Sequence, residues 1–238
     1  MQNKQIGKGA DKKSYCALFL RDQADACLLK TEIETKHRRA LADAQRHYRP
    51  QILVAGYCGL FAAAELAADH ADEVRAQFPA WLPAQIRQLY EKQCADNGCL
   101  MTQRIGEALS PLAGTVRITE DLPAMLFPLG EGGIYKGLWE LGETLFCGIE
   151  TRLSDIPMKQ SIIEICNLYQ INPYKEDSQG SCLLLCNHAQ TALRILAEQK
   201  IPAAVIGEIT EGADRIMEMP EGISHLGSKN EAGGCGLL

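Results

Sequence analysis

Gly130-Glu131-Gly132-Gly133-Ile134-Tyr135-Lys136-Gly137-Leu138-Trp139-Glu140-Leu141 turns an apolar stretch, residues 122–129, into a helix. Leu122, Met125, Leu126 and Phe127 bring the chain inside, and the glycines then free the backbone for a sharp turn. Ile134, Leu138, Leu141 and Leu145 follow at helical spacing and share one face. A buried segment, a glycine turn and an amphipathic helix in that order mark the centre of an α/β domain.

Two readings of Gly130, Glu131, Gly132 and Gly133 stand side by side. Successive glycines expose backbone N–H groups where the positive end of a helix points, so the turn is a candidate cofactor site for a small anion. The other reading is a tight turn whose glycines let the helix approach the sheet closely, with Gly137 continuing a small-residue surface. No Lys-Ser or Lys-Thr follows, so the turn is not a nucleotide P-loop. The Glu131 carboxylate repels a phosphate unless it turns away or a divalent metal intervenes.

Outward from the turn the pattern alternates. Upstream, Gln51-Ile52-Leu53-Val54-Ala55-Gly56 reads as a buried strand, and Gly59 precedes a helix with Leu60, Ala64, Ala67, Ala71 and Val74 on one side. Pro83 fits the first turn of a second helix carrying Ile86, Leu89, Tyr90 and Cys94; a third covers roughly residues 101–110. Downstream, residues 146–150 start a strand and Ile156-Pro157 marks a helix entry, with Ile162, Ile165, Cys166 and Tyr169 as its buried stripe. Cys182-Leu183-Leu184-Leu185-Cys186 is a strong strand. Asn187 and Gln190 resemble a capping box for a helix turning Ala189, Leu193, Leu196 and Ala197 inward. Residues 203–209 form another strand, Gly212 a turn, and Arg215–Met219 a last edge strand. Before Gln51, residues 15–20 and 26–30 suit a hairpin and residues 32–48 a helix ended by Pro50. The three parts expected are a short N-terminal hairpin and helix (1–49), a main domain (50–220) and a flexible tail (221–238).

The chain has 238 residues, of which 46 % are hydrophobic and 23 % charged, an ordinary globular balance. No apolar run is long enough to span a membrane and no secretory signal opens the chain, which points to the cytoplasm. Net charge is −6, but residues 1–49 carry 11 Lys/Arg against 6 Asp/Glu while the remainder carries 13 against 24. The acidic body argues against nucleic-acid binding. The basic run Lys36-His37-Arg38-Arg39, with Arg46 and Arg49, suits a phosphate or an acidic partner, or else the solvated side of a helix.

The other chemical candidates are weak. Cys182 and Cys186 lie about 13 Å apart along a strand, too far to share one zinc ion with its short Zn–S bonds. The ten cysteines sit mostly in apolar patterns and read as buried thiols. Cys94 and Cys99 flank an Asn97-Gly98 turn without a matching second pair. The five histidines form no ligand spacing, and no catalytic or metal residue is assigned. Trp81 and Trp139 read as packing residues, Asp155 and Glu164 as solvent-facing.

Seven segments, taken in order, resemble the C-terminal domain of the aminoimidazole-ribonucleotide-synthetase-like superfamily, nearest its hydrogenase-maturation-factor branch. They are Val54-Ala55-Gly56-Tyr57-Cys58-Gly59-Leu60, Gly130-Glu131-Gly132-Gly133-Ile134, Leu138-Trp139-Glu140-Leu141, Ile156-Pro157, Ile171-Asn172-Pro173, Ser178-Gln179-Gly180-Ser181 and the run from Ile201-Pro202 to Glu211-Gly212. The resemblance implies an α+β fold, a three-layer α/β/α domain of partly ferredoxin-like topology. In full-length relatives an N-terminal domain supplies the acidic residues that hold magnesium and ATP and makes the homodimer; here the stretch before Gln51 is expected to be a truncated remnant. The relatives usually carry an Asp and a Thr in the glycine motif, where this chain has Pro128 and Gly130. One relative also ends in a carbamoyl-accepting cysteine, whereas Cys235 here is followed by Gly236-Leu237-Leu238. The reading implied is a noncatalytic relative without a cofactor of its own that binds a small anionic ligand or a protein partner, or that self-associates. The alternative is a subunit of an ATP- and Mg2+-dependent enzyme whose nucleotide-binding half comes from another chain.

Overall fold

Ile52, Leu53, Val54 and Ala55 are wholly buried, so the first strand, β1 (Gln51–Ala55), is covered on both faces. It is an interior strand of the main sheet, and its neighbour β6 (Cys182–Cys186) is equally apolar and wholly buried. The computed structural model describes residues 51–94, 99–109, 117–119, 122–123, 125–145, 147–186 and 189–226. The hairpin and helix expected before Gln51, Asn187 of the capping box, His188 and Cys235 lie outside these residues.

After β1 come α1 (Leu60–Asp69), α2 (Ala71–Gln77), α3 (Trp81–Gln93) and α4 (Cys99–Leu109). The short β2 (Arg117–Thr119) and β3 (Leu122–Pro123) pair with each other, and β4 (Met125–Pro128) leads through the glycine turn into α5 (Gly133–Leu145). Next are β5 (Gly148–Arg152), a 3-10 turn (Leu153–Asp155), α6 (Gln160–Leu168), β6, α7 (Ala189–Glu198), β7 (Ala203–Thr210), β8 (Arg215–Met219) and β9 (Gly222–His225). The main sheet has the order β4-β6-β1-β7-β5-β8-β9. Neighbours are antiparallel except β5 and β8, which run parallel. A bulge interrupts β1 and β7: Ile52 pairs with Gly207 and Leu53 with Val205, leaving Ile206 as the extra residue.

Side chains on β6 place the two helical layers. A Cβ on Gly137 of α5 would collide with Leu129 and approach Leu183, whereas the Cys182 Sγ lies 3.7 Å from the Thr102 Oγ1 of α4. Adjacent strand residues face opposite ways, so α5 and α4 cover opposite faces. Helix α7 lies on the α4 side, where Arg104 donates to the Gln199 carbonyl just past its end. This is the three-layer α/β/α arrangement, with a mixed sheet between helices. A second apolar cluster joins α1, α2, α3 and α6 through Leu60, Ala63, Val74, Ile86, Ile162 and Ile165.

Four local expectations are corrected. The helix running from Leu60 to Val74 is two helices, divided at His70 (φ −114°, ψ 37°). The His70 N–H closes the first helix on the Leu66 carbonyl, its own carbonyl opens the second, and its ring packs 4.8 Å from that of Tyr169. The helix expected at Ile156-Pro157 begins only at Gln160, because the 3-10 turn first tucks Ile156 into the core. Ala197 is exposed; the inward residues of α7 are Ala189, Ala192 and Leu196. Strand β8 is not at the edge, since β9 pairs beside it within the stretch from 221 expected to be a flexible tail. Its pairing with Met217 and Glu218 holds a segment with little apolar content of its own.

Six cysteines, Cys58, Cys94, Cys147, Cys166, Cys182 and Cys186, are free and buried, in agreement with their apolar sequence settings. Burial pushes the thiols of Cys58 and Cys182 up to about 12 from 9.0. Raised pKa values of this kind stabilise the fold fully below the unfolded thiol value, and that contribution is lost as pH climbs toward the folded value. Unfolding free energy should therefore decline between pH 9 and 12, and Cys58→Ala/Cys182→Ala should flatten that slope in urea titrations. Replacing Leu184, 1 % exposed in the same core, with Ala should cost about 2–5 kcal/mol by urea denaturation; an unchanged midpoint would contradict the packing described.

Candidate functional site

The glycine turn sits where β4 leaves the sheet. Pro128 pairs with Cys182, and the Leu129 N–H donates to the Ser181 carbonyl at 2.8 Å. The Gly130 carbonyl accepts from the Gly133 and Ser178 amides at 3.0 and 3.2 Å. Gly132 and Gly133 take φ values of 83° and 58°, where side-chain-bearing residues are strained. A Cβ on Gly133 would stand 2.5 Å from the carbonyl oxygens of both Tyr174 and Glu176. The Tyr135 amide, in the first turn of α5, donates to the Tyr174 carbonyl at 3.3 Å. Close packing of the 171–181 loop therefore accounts for Gly133. Glu131 is exposed, and Gly132 lies against the Lys136 side chain.

The other motif segments converge on this place. The Gly56 amide donates to the Pro202 carbonyl, and the Cys58 amide to the Pro157 carbonyl. Gly59, with φ 68°, donates to the Ser178 Oγ at 3.0 Å, and a Cβ there would strike Pro173. The Ser178 Oγ donates onward to the Glu176 carbonyl, and the Ser181 Oγ donates to the Ser178 carbonyl at 2.6 Å. Both serines are wholly buried. Segments separated by as many as 119 residues thus meet at one end of the sheet.

Gln93 is the member of this junction that sequence reading missed. It is 3 % exposed at the end of α3. Its amide group holds both backbone atoms of Tyr57, accepting the Tyr57 N–H at 2.7 Å and donating to the Tyr57 carbonyl at 2.8 Å. A Cβ on Gly180 would collide with the Gln93 carbonyl. No local signal separates Gln93 from the solvated glutamines of the same helix; only its Tyr57 partner, 36 residues away, does.

The surface of the junction is aromatic and basic. Tyr135 and Tyr174 stack with centroids 6.4 Å apart, and the Lys175 ammonium lies 5.7 Å from the Tyr135 ring. The Lys159 ammonium lies 5.3 Å from the Tyr57 ring. Burial raises the pKa of the Tyr174 phenol, with the neighbouring Cys58 adding to the effect. Burial likewise keeps Cys58 a protonated thiol, opposed in part by its hydrogen bond with Ser181, so it offers no thiolate nucleophile at neutral pH.

Other candidates take structural places. Trp139 packs under the Arg215 guanidinium, 4.0 Å from its ring centre, while Arg215 pairs with Glu143 at 2.6 Å. Cys182 and Cys186 are core residues at the two ends of β6. Trp81 is 59 % exposed, unlike the packing residue expected; it begins α3 and turns away from Leu82 and Ile86. Among the described residues, no group of three or more His, Cys, Asp or Glu side chains is placed to hold a metal ion, and no helix is long and apolar enough to cross a membrane.

Gly133→Ala should lower the melting temperature well beyond Gly212→Ala. Both glycines have positive φ, but a Cβ on Gly212 meets nothing within 4 Å, whereas on Gly133 it meets two carbonyls. Equal melting points in calorimetry would show that backbone strain, not packing against the 171–181 loop, governs the turn.

No family model matches the chain, and no curated protein matches it. Solved structures do. The hydrogenase maturation protein HypE in complex with ATP superposes with a TM-score of 0.53 at 18 % identity, over 77 % of this chain and 52 % of that one. HypE of E. coli gives 0.55 at 21 % identity, over 77 % of this chain and 51 % of that one. HypE in its complex with HypF gives 0.53 at 18 % identity, over 75 % of this chain and 52 % of that one. The chain spans about half the length of these proteins, and likeness at such identities is likeness of fold. The structure thus shares the fold of about half of HypE.

Proposed function

We propose that this chain is a noncatalytic member of that structural group, acting by binding a protein partner or a small anionic ligand rather than by chemistry of its own. The observation that carries the reading is the content of the turn. Pro128 and Gly130 occupy the positions where the related enzymes are expected to keep a carboxylate and a hydroxyl. The Gly130 carbonyl is taken up by the Gly133 and Ser178 amides. A site with neither a carboxylate nor a hydroxyl at these positions lacks the groups that hold metal or move a proton there.

Gly130, Glu131, Gly132 and Gly133 are the proposed ligand contact. The turn lies at the positive end of α5, and Lys136 and Lys175 flank it. An anionic group of modest size, with Glu131 turned outward, suits that field. The protein-partner form of the reading draws on HypE, which has been seen in complex with HypF. Buried free thiols fit a reducing setting such as the cytoplasm.

A second reading has one observation in its favour. HypE has been solved in complex with ATP, and this chain covers only 52 % of its length. A second polypeptide supplying a nucleotide-binding half, with ATP and Mg2+, is the corresponding arrangement.

Calorimetric titration of the full chain with ATP, with and without magnesium, separates the two. The first reading expects no magnesium-dependent binding and no turnover; tight magnesium-dependent binding by the chain alone would overturn it. Gly132→Asp should weaken binding of inorganic phosphate at least about tenfold, as expected for an added like charge at close range, while circular dichroism stays unchanged. Undiminished phosphate binding by that variant would remove the turn as the contact.

A further inference from the structure

The α4 and α7 side of the sheet is only half covered among the described residues. Paired residues in neighbouring strands share a face, so the register puts Val205, Glu208, Glu150, Ile216, Glu218 and Ile223 on that side. Beyond β1 they line an open groove of about 740 Å³ across β7, β5, β8 and β9. Val205 and Ile216 are half-buried and Ile223 is 71 % exposed. Glu150, Asp155, Glu208 and Glu218 set four carboxylates against one guanidinium, that of Arg152. Arg152 is itself engaged, 3.5 Å from both Asp155 and Glu218. The groove is thus acidic, with an apolar bank at Ile216 and Ile223.

One rim of this groove is also a strand edge. The Leu226 N–H donates to the Arg215 carbonyl at 2.9 Å. Antiparallel neighbours exchange main-chain bonds at every second residue, so Ser224 and Gly222 turn theirs toward Met217 and Met219 of β8. The N–H and C=O groups of Ile223 and His225 then point away from the sheet. No described strand pairs with that side of β9. Edge strands are commonly blunted by lysine or proline, and Gly222-Ile223-Ser224-His225 contains neither. Ile223 and His225 pair with Glu218 and Ile216, so both stand on the groove face.

We propose that an extended basic segment of a partner protein adds to β9 as a further strand. Its main chain bonds to Ile223 and His225, and every second side chain, a Lys or Arg, faces the groove. From such a strand β8 is two strand spacings away, about 10 Å, a gap that an extended Arg and the Glu218 side chain close together. Ile223 covers the aliphatic part of the same side chains. Charge selects the partner. Residues 50–238 carry 13 Lys/Arg against 24 Asp/Glu, so this body draws in a basic segment and repels an acidic one. A second copy adding by the same edge would set its own acidic face beside this one, like charge beside like. The docking edge rests on the protein-partner form of the function proposed above and gives that partner a chemistry. The glycine turn leaves β4, at the opposite edge of the main sheet, so phosphate titration of Gly132→Asp and the test of β9 succeed or fail separately.

A short synthetic peptide of alternating lysine and valine, added to the full chain, is the probe. Residue-resolved hydrogen exchange should show the Ile223 and His225 amides slowed at least about tenfold by the peptide, and about 0.5 M salt should abolish the effect. The same peptide N-methylated along its backbone keeps the charges and loses the main-chain donors, so it should give no protection. Glu150→Lys/Glu218→Lys should weaken the lysine peptide at least about tenfold in calorimetric titration, with circular dichroism unchanged. If that variant does not fold, the N-methylated peptide on the wild-type chain still decides. Equal protection by the N-methylated peptide would reduce the contact to charge alone and overturn the proposal. Absence of protection by the lysine peptide at low salt would overturn it as well. Ile223 and His225 amides as slow in the free chain as in the mixture would show the edge already taken, by another part of this chain or by a second copy, and would also overturn it.

Discussion

Three chain segments depend on the Ser178 hydroxyl and its neighbouring amide. The hydroxyl accepts the Gly59 N–H and donates to the Glu176 carbonyl, while the Ser178 N–H donates to the Gly130 carbonyl. The residue is wholly buried, so none of these groups has water to fall back on. A buried polar group left unpaired costs more than a made bond gains. The three segments must therefore arrive together: the turn into α1, the turn into α5, and the 171–181 loop. Gln93 adds a fourth by holding Tyr57. The glycines at 56, 59, 133 and 180 stand where these segments come closer than a side chain allows.

The shape of the glycine turn is thus independent of the side chains around it. The geometry of Gly130 to Gly133 is held by backbone bonds and by the loop pressed against it, and neither requires the side chain at 128 or 130. Pro128 sits at the end of β4 opposite Cys182, where a missing N–H is tolerated because pairing stops there. Shape and chemistry are stored in different atoms.

Periodicity made the central elements legible. Strand β6 is Cys182–Cys186, five consecutive apolar residues with no competing pattern, and α5 begins at the last glycine of its turn. The inward stripe Ile134, Leu138 and Leu141 is wholly buried as its spacing requires. What stayed hidden depends on partners far along the chain. His70 looks like any helical residue until Tyr169 is placed beside it, and β9 has no strand signal apart from β8. Of the junction, the glycines and the Ser178-Gln179-Gly180-Ser181 motif were readable, but Gln93 was not, because burial of a glutamine is a property of what it faces. That the motifs meet in space could not be read from their order.

The extra residue in β7 sets the character of the outer sheet. A strand alternates its faces with a period of two, so one inserted residue reverses the phase of everything after it. Before the bulge β7 presents Val205 toward the open side; after it, Glu208 and Thr210 face that way and Ile209 turns to the α5 side. Pairing Ile206 in step, with no bulge, would exchange them, placing Ile209 in the groove and the Glu208 carboxylate under α5. A single unpaired position thus decides which face of the sheet is solvent-compatible. It couples the polarity of the groove to the backbone rather than to any one side chain.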